Sequence, residues 1–168
     1  MTTTIAITGH NGCIGKNLFE FFSSRVEYNV VKINRINDCP TGEFGGDISL
    51  DVVVHCAGVN RPSIDTGYDN NYIYTKKVID YISANNGKVA PQHIYLSTIQ
   101  VGNKSEYAKS KEKAESLIAE LPRSKIYRLP NIFGKYSKPF YNSVVATFCH
   151  QTVNNQKHSI IDPDKNIR

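Results

Sequence analysis

The sequence predicts a doubly wound α/β fold, a parallel sheet with helices on both faces. Two observations carry that reading. Short β-branched runs alternate along the chain with stretches of helical apolar spacing, the order expected of successive β-α-β units. The first such run, "TIAIT", leads directly into "GHNGCIG", where Gly9, Gly12 and Gly15 open an amphipathic stretch. A chain of 168 residues is long enough for one such domain with a real core.

Residues 4–8, "TIAIT", read as a buried strand, and from Gly12 to about Ser24 the residues Ile14, Leu18, Phe21 and Phe22 lie at helical spacing. "YNVVKIN" (28–34) is a second strand. The stretch 36–50, "INDCPTGEFGGDISL", is too short and glycine-rich for a full helix and strand, so one α/β unit is abbreviated there. "LDVVVHCAG" (50–58) is the next strand, ending on glycine. Ile73, Val78, Ile79 and Ile82 mark a helix that stops near Asn85-Asn86-Gly87. "HIYLST" (93–98) is a strand, and "SEYAKSKEKAESLIAEL" (105–121) is a helix closed by Pro122. "SKIYRL" (124–129) is a strand broken by Pro130, and "FYNSVVATFCHQTV" (140–153) reads as a further helix.

The formal net charge is +5, which suits nucleic acid, a membrane surface or small anionic ligands. The basic residues are scattered. Their densest group, Lys104, Lys109, Lys111 and Lys113, alternates with Glu106, Glu112 and Glu115, so it reads mostly as a solvated helix face and argues against nucleic acid. Cys13, Cys39, Cys56 and Cys149 show no paired spacing, which fits buried or free thiols in a reducing compartment and no metal site. Without a signal peptide or a long apolar span, the expectation is a cytoplasmic protein with no membrane partner.

In a doubly wound fold, ligands bind beyond the carboxyl ends of the strands, where the strand order reverses. Gly9 permits a tight turn, Gly12 lets the backbone approach a pyrophosphate, and Gly15 lets the helix pack near the sheet. The helix start presents unpaired N–H groups to the phosphates, so Asn11, Cys13 and Ile14 join the three glycines as expected cofactor contacts. A glycine turn can also serve packing alone; the strand before it and the amphipathic helix after it favour a dinucleotide. The second strand ends "KINR", with Arg35 where an acidic residue would bind the ribose of NAD. Arginine there pairs with a 2′-phosphate, so NADP is the expected cofactor.

"EYAKSK" places Tyr107 and Lys111 four residues apart on one helix face, where the ammonium lies near the phenol, lowers its pKa and tunes it as a proton donor. The spacing alone is common on helix surfaces. It gains weight from Ser97-Thr98 at the end of the preceding strand, whose hydroxyls suit a substrate oxygen.

With the leading Thr8, the G-x-x-G-x-x-G spacing resembles the extended short-chain dehydrogenase/reductase family, whose nucleotide-binding domain is of Rossmann type, and the resemblance runs along most of the chain. "VVVHCAGVNRP" looks like the strand-four signature, which implies that Cys56, Ala57 and Gly58 lie beside the cofactor. "YDNNYIYTKKVI" resembles the next helix, with Asn71 at the structural and proton-relay asparagine. "LST" puts Thr98 at the catalytic Ser/Thr position, with Ser97 the neighbouring candidate, and "YAKSK" matches the Tyr-x-x-x-Lys pair. "RLPNIFG" resembles the segment whose proline, here Pro130, borders the nicotinamide and whose asparagine, here Asn131, faces the substrate. Asp47-Ile48 resembles the adenine-side contact.

"HCAGVNRP", "LSTIQ" and "RLPNIFGKYSKPFYNSVVATFC" are similar to the N-terminal reductase domain of the CapF-type capsule-synthesis enzymes. That resemblance implies NADPH-dependent reduction of a UDP-4-keto-6-deoxy-N-acetylhexosamine in capsule or O-antigen biosynthesis. Tyr107 would donate the proton, Thr98 polarise the carbonyl, Lys111 hold the nicotinamide ribose and Asn71 support a water relay. Asn131 and Asn142 are implied sugar-nucleotide contacts, and Arg61 reads equally as a substrate contact or a loop arginine. Dehydratases of this type follow the catalytic threonine with Asp-Glu; Ile99-Gln100 stands here, which disfavours dehydration. A nucleotide-sugar epimerase and an inactive NADP-binding protein are the alternatives. The resemblance assigns 1–154 to the NAD(P)-binding domain and 155–168 to the start of a substrate lobe that is otherwise missing, which leaves a second copy of the chain, in a homo-oligomer, as one cover for the exposed end.

Overall fold

The computed structural model describes residues 2–37, 39–44, 49–61, 67–87 and 89–158. The chain runs β1 (Thr3–Thr8), α1 (Cys13–Ser23), β2 (Tyr28–Ile36), β3 (Cys39–Thr41), β4 (Val52–His55), α2 (Asn70–Asn85), β5 (Gln92–Thr98), α3 (Glu106–Ala119), β6 (Ser124–Leu129) and α4 (Val144–Val153). Among the described residues the strands form one sheet in the order β3-β2-β1-β4-β5-β6. Every neighbouring pair is parallel except β2 and β3, which run antiparallel with Arg35 opposite Pro40. The exception falls in the abbreviated stretch. A parallel return needs a crossover of a dozen or more residues, and the chain between Ile36 and Cys39 has room only for a tight reversal. Asn37 takes the left-handed conformation that the reversal requires (φ 48°), which asparagine tolerates well.

Both faces of β1 are covered, as its uninterrupted apolar run predicts. Ile5 and Ile7 pack with Val54 against Leu18, Phe19 and Phe22 of α1. Ala6 and Val53 point the other way, into Tyr74, Val78 and Ile82 of α2. Tyr95 of β5 packs on Ala114 and Ile118 of α3. Two positions expected on apolar stripes lie outside: Phe21 is exposed, with the Arg25 guanidinium 3.5 Å from its ring centroid, and Ile73 is exposed while Tyr74 is buried. Adjacent positions on a helix differ by only about 100°, so periodicity alone does not choose between them.

The first turn of α3 is fixed by Ser105, whose hydroxyl accepts the Ala108 N–H at 3.2 Å, with Glu106 favourably placed at the positive end of the helix. Its buried residues are Ala108, Ser110, Lys111, Ala114, Glu115 and Ile118. The expected solvated face therefore surrenders Lys111 and Glu115 to the interior. Helix α4 starts at Val144 rather than 140, because Phe140 is left-handed (φ 55°) and Ser143 caps the helix through the Ala146 N–H. Asp47, Ile48 and the 159–168 part of the expected substrate lobe lie outside the described residues. Among those described, no helix is long and apolar enough to cross a membrane.

Candidate active site

The strand order reverses between β1 and β4, and a crevice of about 430 Å³ opens beyond their carboxyl ends. Gly9, Asn11 and Gly12 form one wall, Arg35 another, and Cys56, Ala57, Gly58 and Asn71 a third. The glycines divide by what surrounds them. Gly9 has φ +65°, and a Cβ there would meet the Ala57 backbone N at 2.7 Å; one at Gly15 would meet the Gly9 carbonyl oxygen at 2.2 Å. Both are demanded by packing. A Cβ at Gly12 would meet only the Gly9 oxygen, at 3.3 Å, and the Gly12 backbone is extended (φ −80°, ψ 171°), open to any residue. Gly12 thus keeps a wall of the crevice bare. No side chain caps α1, and no acidic residue sits in its first turn, so among the described residues lining the crevice the amide end of the helix meets no competing anion. This cradle fits a pyrophosphate, and Arg35 on the far wall fits an added phosphate. Cys13 and Ile14 are not on the wall. The Cys13 thiol faces Ser137 Oγ at 3.3 Å, so these residues can offer the cradle only backbone N–H groups.

Of the expected chemistry-bearing residues, Lys111 reaches Gly58, its Nζ 3.8 Å from where a Cβ there would stand; Thr98, Tyr107 and Lys111 are not on the crevice wall itself. Lys111 is buried, its ammonium donating to the Leu96 carbonyl at 2.8 Å and lying 4.2 Å from the Tyr95 ring centroid. Burial pushes its pKa down to about 8, against the raising influence of Glu115 and Cys56. Thr98 ends β5, buried, with its oxygen accepting the Gln100 N–H at 3.2 Å; among the described residues no acceptor for its own proton is seen. Tyr107 is half-buried, its ring 5.7 Å from that of Tyr68. Burial first, and Tyr68 second, raise its pKa above the ordinary tyrosine value. This corrects the expectation that Lys111 lowers it: the ammonium is drawn to the Leu96 carbonyl and the Tyr95 ring, and desolvation governs the phenol.

Asn71 is a brace. Its Oδ1 accepts the Val59 N–H at 2.7 Å, and its Nδ2 donates to the Val59 carbonyl and to Ser110 Oγ. Thr98 pairs in register with Leu129, so Pro130 and Asn131 continue from the strand beside it. Asn131 and Asn142 are both exposed. The Arg61 guanidinium donates to the carbonyls of Phe140 and Tyr141, so in this structure it ties the two loops that carry these residues.

Sequence reasoning gave no role to the buried polar residues His55, Thr75 and Ser110, and read Glu115 as part of a solvated face. Burial penalises the Glu115 carboxylate, but paired hydrogen bonds from Arg128, at 3.0 and 2.7 Å, hold its pKa below the usual range. The available signal was a polar residue placed at an inward position of an otherwise apolar repeat, as His55 is in "VVVHCAG".

Comparison with known proteins agrees with this fold. The chain is 36 % identical over 156 residues to the UDP-2-acetamido-2,6-beta-L-arabino-hexul-4-ose reductase of Pseudomonas aeruginosa, an alignment spanning 89 % of this chain and 41 % of that protein. The crystal structure of the capsular polysaccharide assembling protein CapF from Staphylococcus aureus superposes with a TM-score of 0.72 at 30 % identity, over 95 % of this chain and 43 % of CapF. The UDP-glucuronic acid 4-epimerase of Bacillus cereus, in complex with NAD, shares the fold at 17 % identity (TM-score 0.71, 92 % of this chain and 63 % of the epimerase). The chain thus spans less than half the length of the reductase and of CapF. The profile of the NAD dependent epimerase/dehydratase family matches residues 5–168, and the chain belongs to that family.

Proposed function

We propose that this chain is the cofactor-binding and catalytic part of an NADPH-dependent reductase acting on a UDP-4-keto-6-deoxy-N-acetylhexosamine, in the synthesis of a capsule or O-antigen sugar. The observation that carries the reading is the 36 % identity, over nearly the whole chain, to a reductase whose name specifies a UDP-linked hexul-4-ose. Arg35 on the crevice wall supports the phosphorylated dinucleotide over NAD.

Gly9, Gly12 and the first turn of α1 would hold the pyrophosphate, Arg35 the 2′-phosphate, and Gly58, Lys111 and Pro130 the nicotinamide riboside. When bound, the reduced nicotinamide supplies the hydride for the substrate carbonyl carbon. Tyr107 hands its phenolic proton to the carbonyl oxygen. Its raised pKa keeps it protonated at neutral pH, the state that reduction requires. The Thr98 hydroxyl donates to the same oxygen and stabilises the charge that builds there. Lys111, its pKa pushed down to about 8, would return a proton to the Tyr107 phenolate and recover one from solvent. Asn131 and Asn142 would contact the nucleotide sugar.

The test is to mix the chain with NADPH and UDP-2-acetamido-2,6-dideoxy-β-L-arabino-hexul-4-ose and follow loss of reduced-nicotinamide absorbance. Turnover that falls about 10²–10⁴-fold in Tyr107→Phe, with NADPH binding retained, is the expected result. NADPH binding without turnover would favour a binding protein over a reductase.

A further inference from the structure

We propose that His55 is a positioning residue, the centre of a closed ring of hydrogen bonds that sets the backbone of residues 57–59 between the crevice and Lys111. His55 ends β4 beside Thr8, its register partner at the end of β1. Its imidazole reaches Thr8 Oγ1 through Nδ1 at 2.8 Å and Thr75 Oγ1 through Nε2 at 3.0 Å.

The direction of each bond follows from the ends. The Asn71 carbonyl can only accept, so Thr75 donates to it, at 2.7 Å. A hydroxyl has one proton, so the Thr75 oxygen must accept from His55, and Nε2 carries the hydrogen. On a neutral ring Nδ1 then accepts, and Thr8 is the donor. Thr8 in turn accepts the Ala57 N–H at 3.1 Å. The Asn71 side chain closes the ring by pairing with both the N–H and the carbonyl of Val59. Ala57 and Val59 are thus fixed from opposite ends of one chain of bonds, and Gly58 lies between them. A Cβ on Gly58 would meet Asn71 Oδ1 at 3.3 Å and Lys111 Nζ at 3.8 Å, so the position of this wall bears directly on the crevice and on the lysine.

The ring works only with a neutral imidazole, since a charged one would present a second N–H to Thr8 and turn its proton away. The surroundings agree. Tyr74 and Tyr95 both stack on the ring, and the other charged or titratable groups facing it are Lys111 of α3 and His93 of β5. Burial first, then Lys111 and His93, push the His55 pKa down to about 3.

The effect on ligand binding rests on the dinucleotide reading given above, and the test separates the two. Nitrogen-15 spectra of the ring in the full chain should show Nδ1 bare and Nε2 protonated, unchanged from about pH 8 to about pH 5.5. Thr75→Val removes the acceptor for Nε2–H. It should shift those resonances and raise the NADPH dissociation constant about tenfold, while Thr75→Ser, which restores the hydroxyl, should behave as the natural chain. A ring protonated on Nδ1, or one that titrates in that range, overturns the proposal. So does a folded Thr75→Val chain that binds NADPH as tightly as the natural one. Should Thr75→Val not fold, or should the natural chain not bind NADPH, the spectra of the natural chain still decide the tautomer; loss of NADPH binding by the natural chain counts against the function proposed above.

Discussion

Lys111 keeps a charge inside the protein, and this makes it readable by pH. Its pKa is pushed from the ordinary 10.5 to about 8 by burial, so between these values the unfolded chain binds more protons than the folded one. Stability attributable to this group therefore rises with pH across that window. We expect the urea midpoint to climb from about pH 8 to about pH 9.5, and Lys111→Met, which keeps the stem and removes the charge, to flatten that climb. Arg35 is read by ligand choice instead. Arg35→Ala should weaken NADPH about 10–100-fold in equilibrium titration and leave NADH almost unchanged, because in the proposed complex the guanidinium pairs with the 2′-phosphate, which NADH lacks. Both residues were visible in the sequence as types at positions. The burial of Lys111 was not, because its neighbours alternate in charge as an exposed face does; only packing against Leu96 and Tyr95 distinguishes it.

At the scale of elements, the turn from β1 into α1 decides both folding and binding, through different glycines. Gly15→Ala drives a methyl group into the Gly9 carbonyl, where neither backbone can yield cheaply, and should cost about 3 kcal/mol in denaturant unfolding. Gly12→Ala should cost less than about 1 kcal/mol yet lower dinucleotide affinity, since its methyl group would project at the crevice wall. Equal losses of stability in the two variants would contradict this division. The glycine spacing, and the expectation that Gly9 and Gly15 serve packing while Gly12 faces the ligand, came from the sequence; how tightly Ala57 and the Gly9 carbonyl close on them did not, because that depends on helix–strand distance. The strands were legible for the same reason that they are buried: all but Ala6 of β1 and all but His55 of β4 are β-branched. The antiparallel β3 was hidden in a segment whose shortness was plain but whose direction depends on a reversal at Asn37.

The whole molecule is unevenly consolidated. Its core lies under α1, α2 and α3, whereas α4 contains no buried residue, and Phe133, Phe140 and Val153 stand exposed after β6. Hydrogen exchange should therefore be slowest in β1, β4 and β5 and fastest, among the helices, in α4. Protection of α4 equal to that of α2 would mean that this face is covered in solution. The reductase and CapF are each more than twice the length of the chain, so catalysis is the more distant inference and occupancy of the crevice the nearer one. Calorimetric titration of the natural chain with NADPH and with NADH tests that occupancy most directly. One NADPH bound per chain, more tightly than NADH, is the predicted result; no binding of either, or tighter binding of NADH, would contradict it.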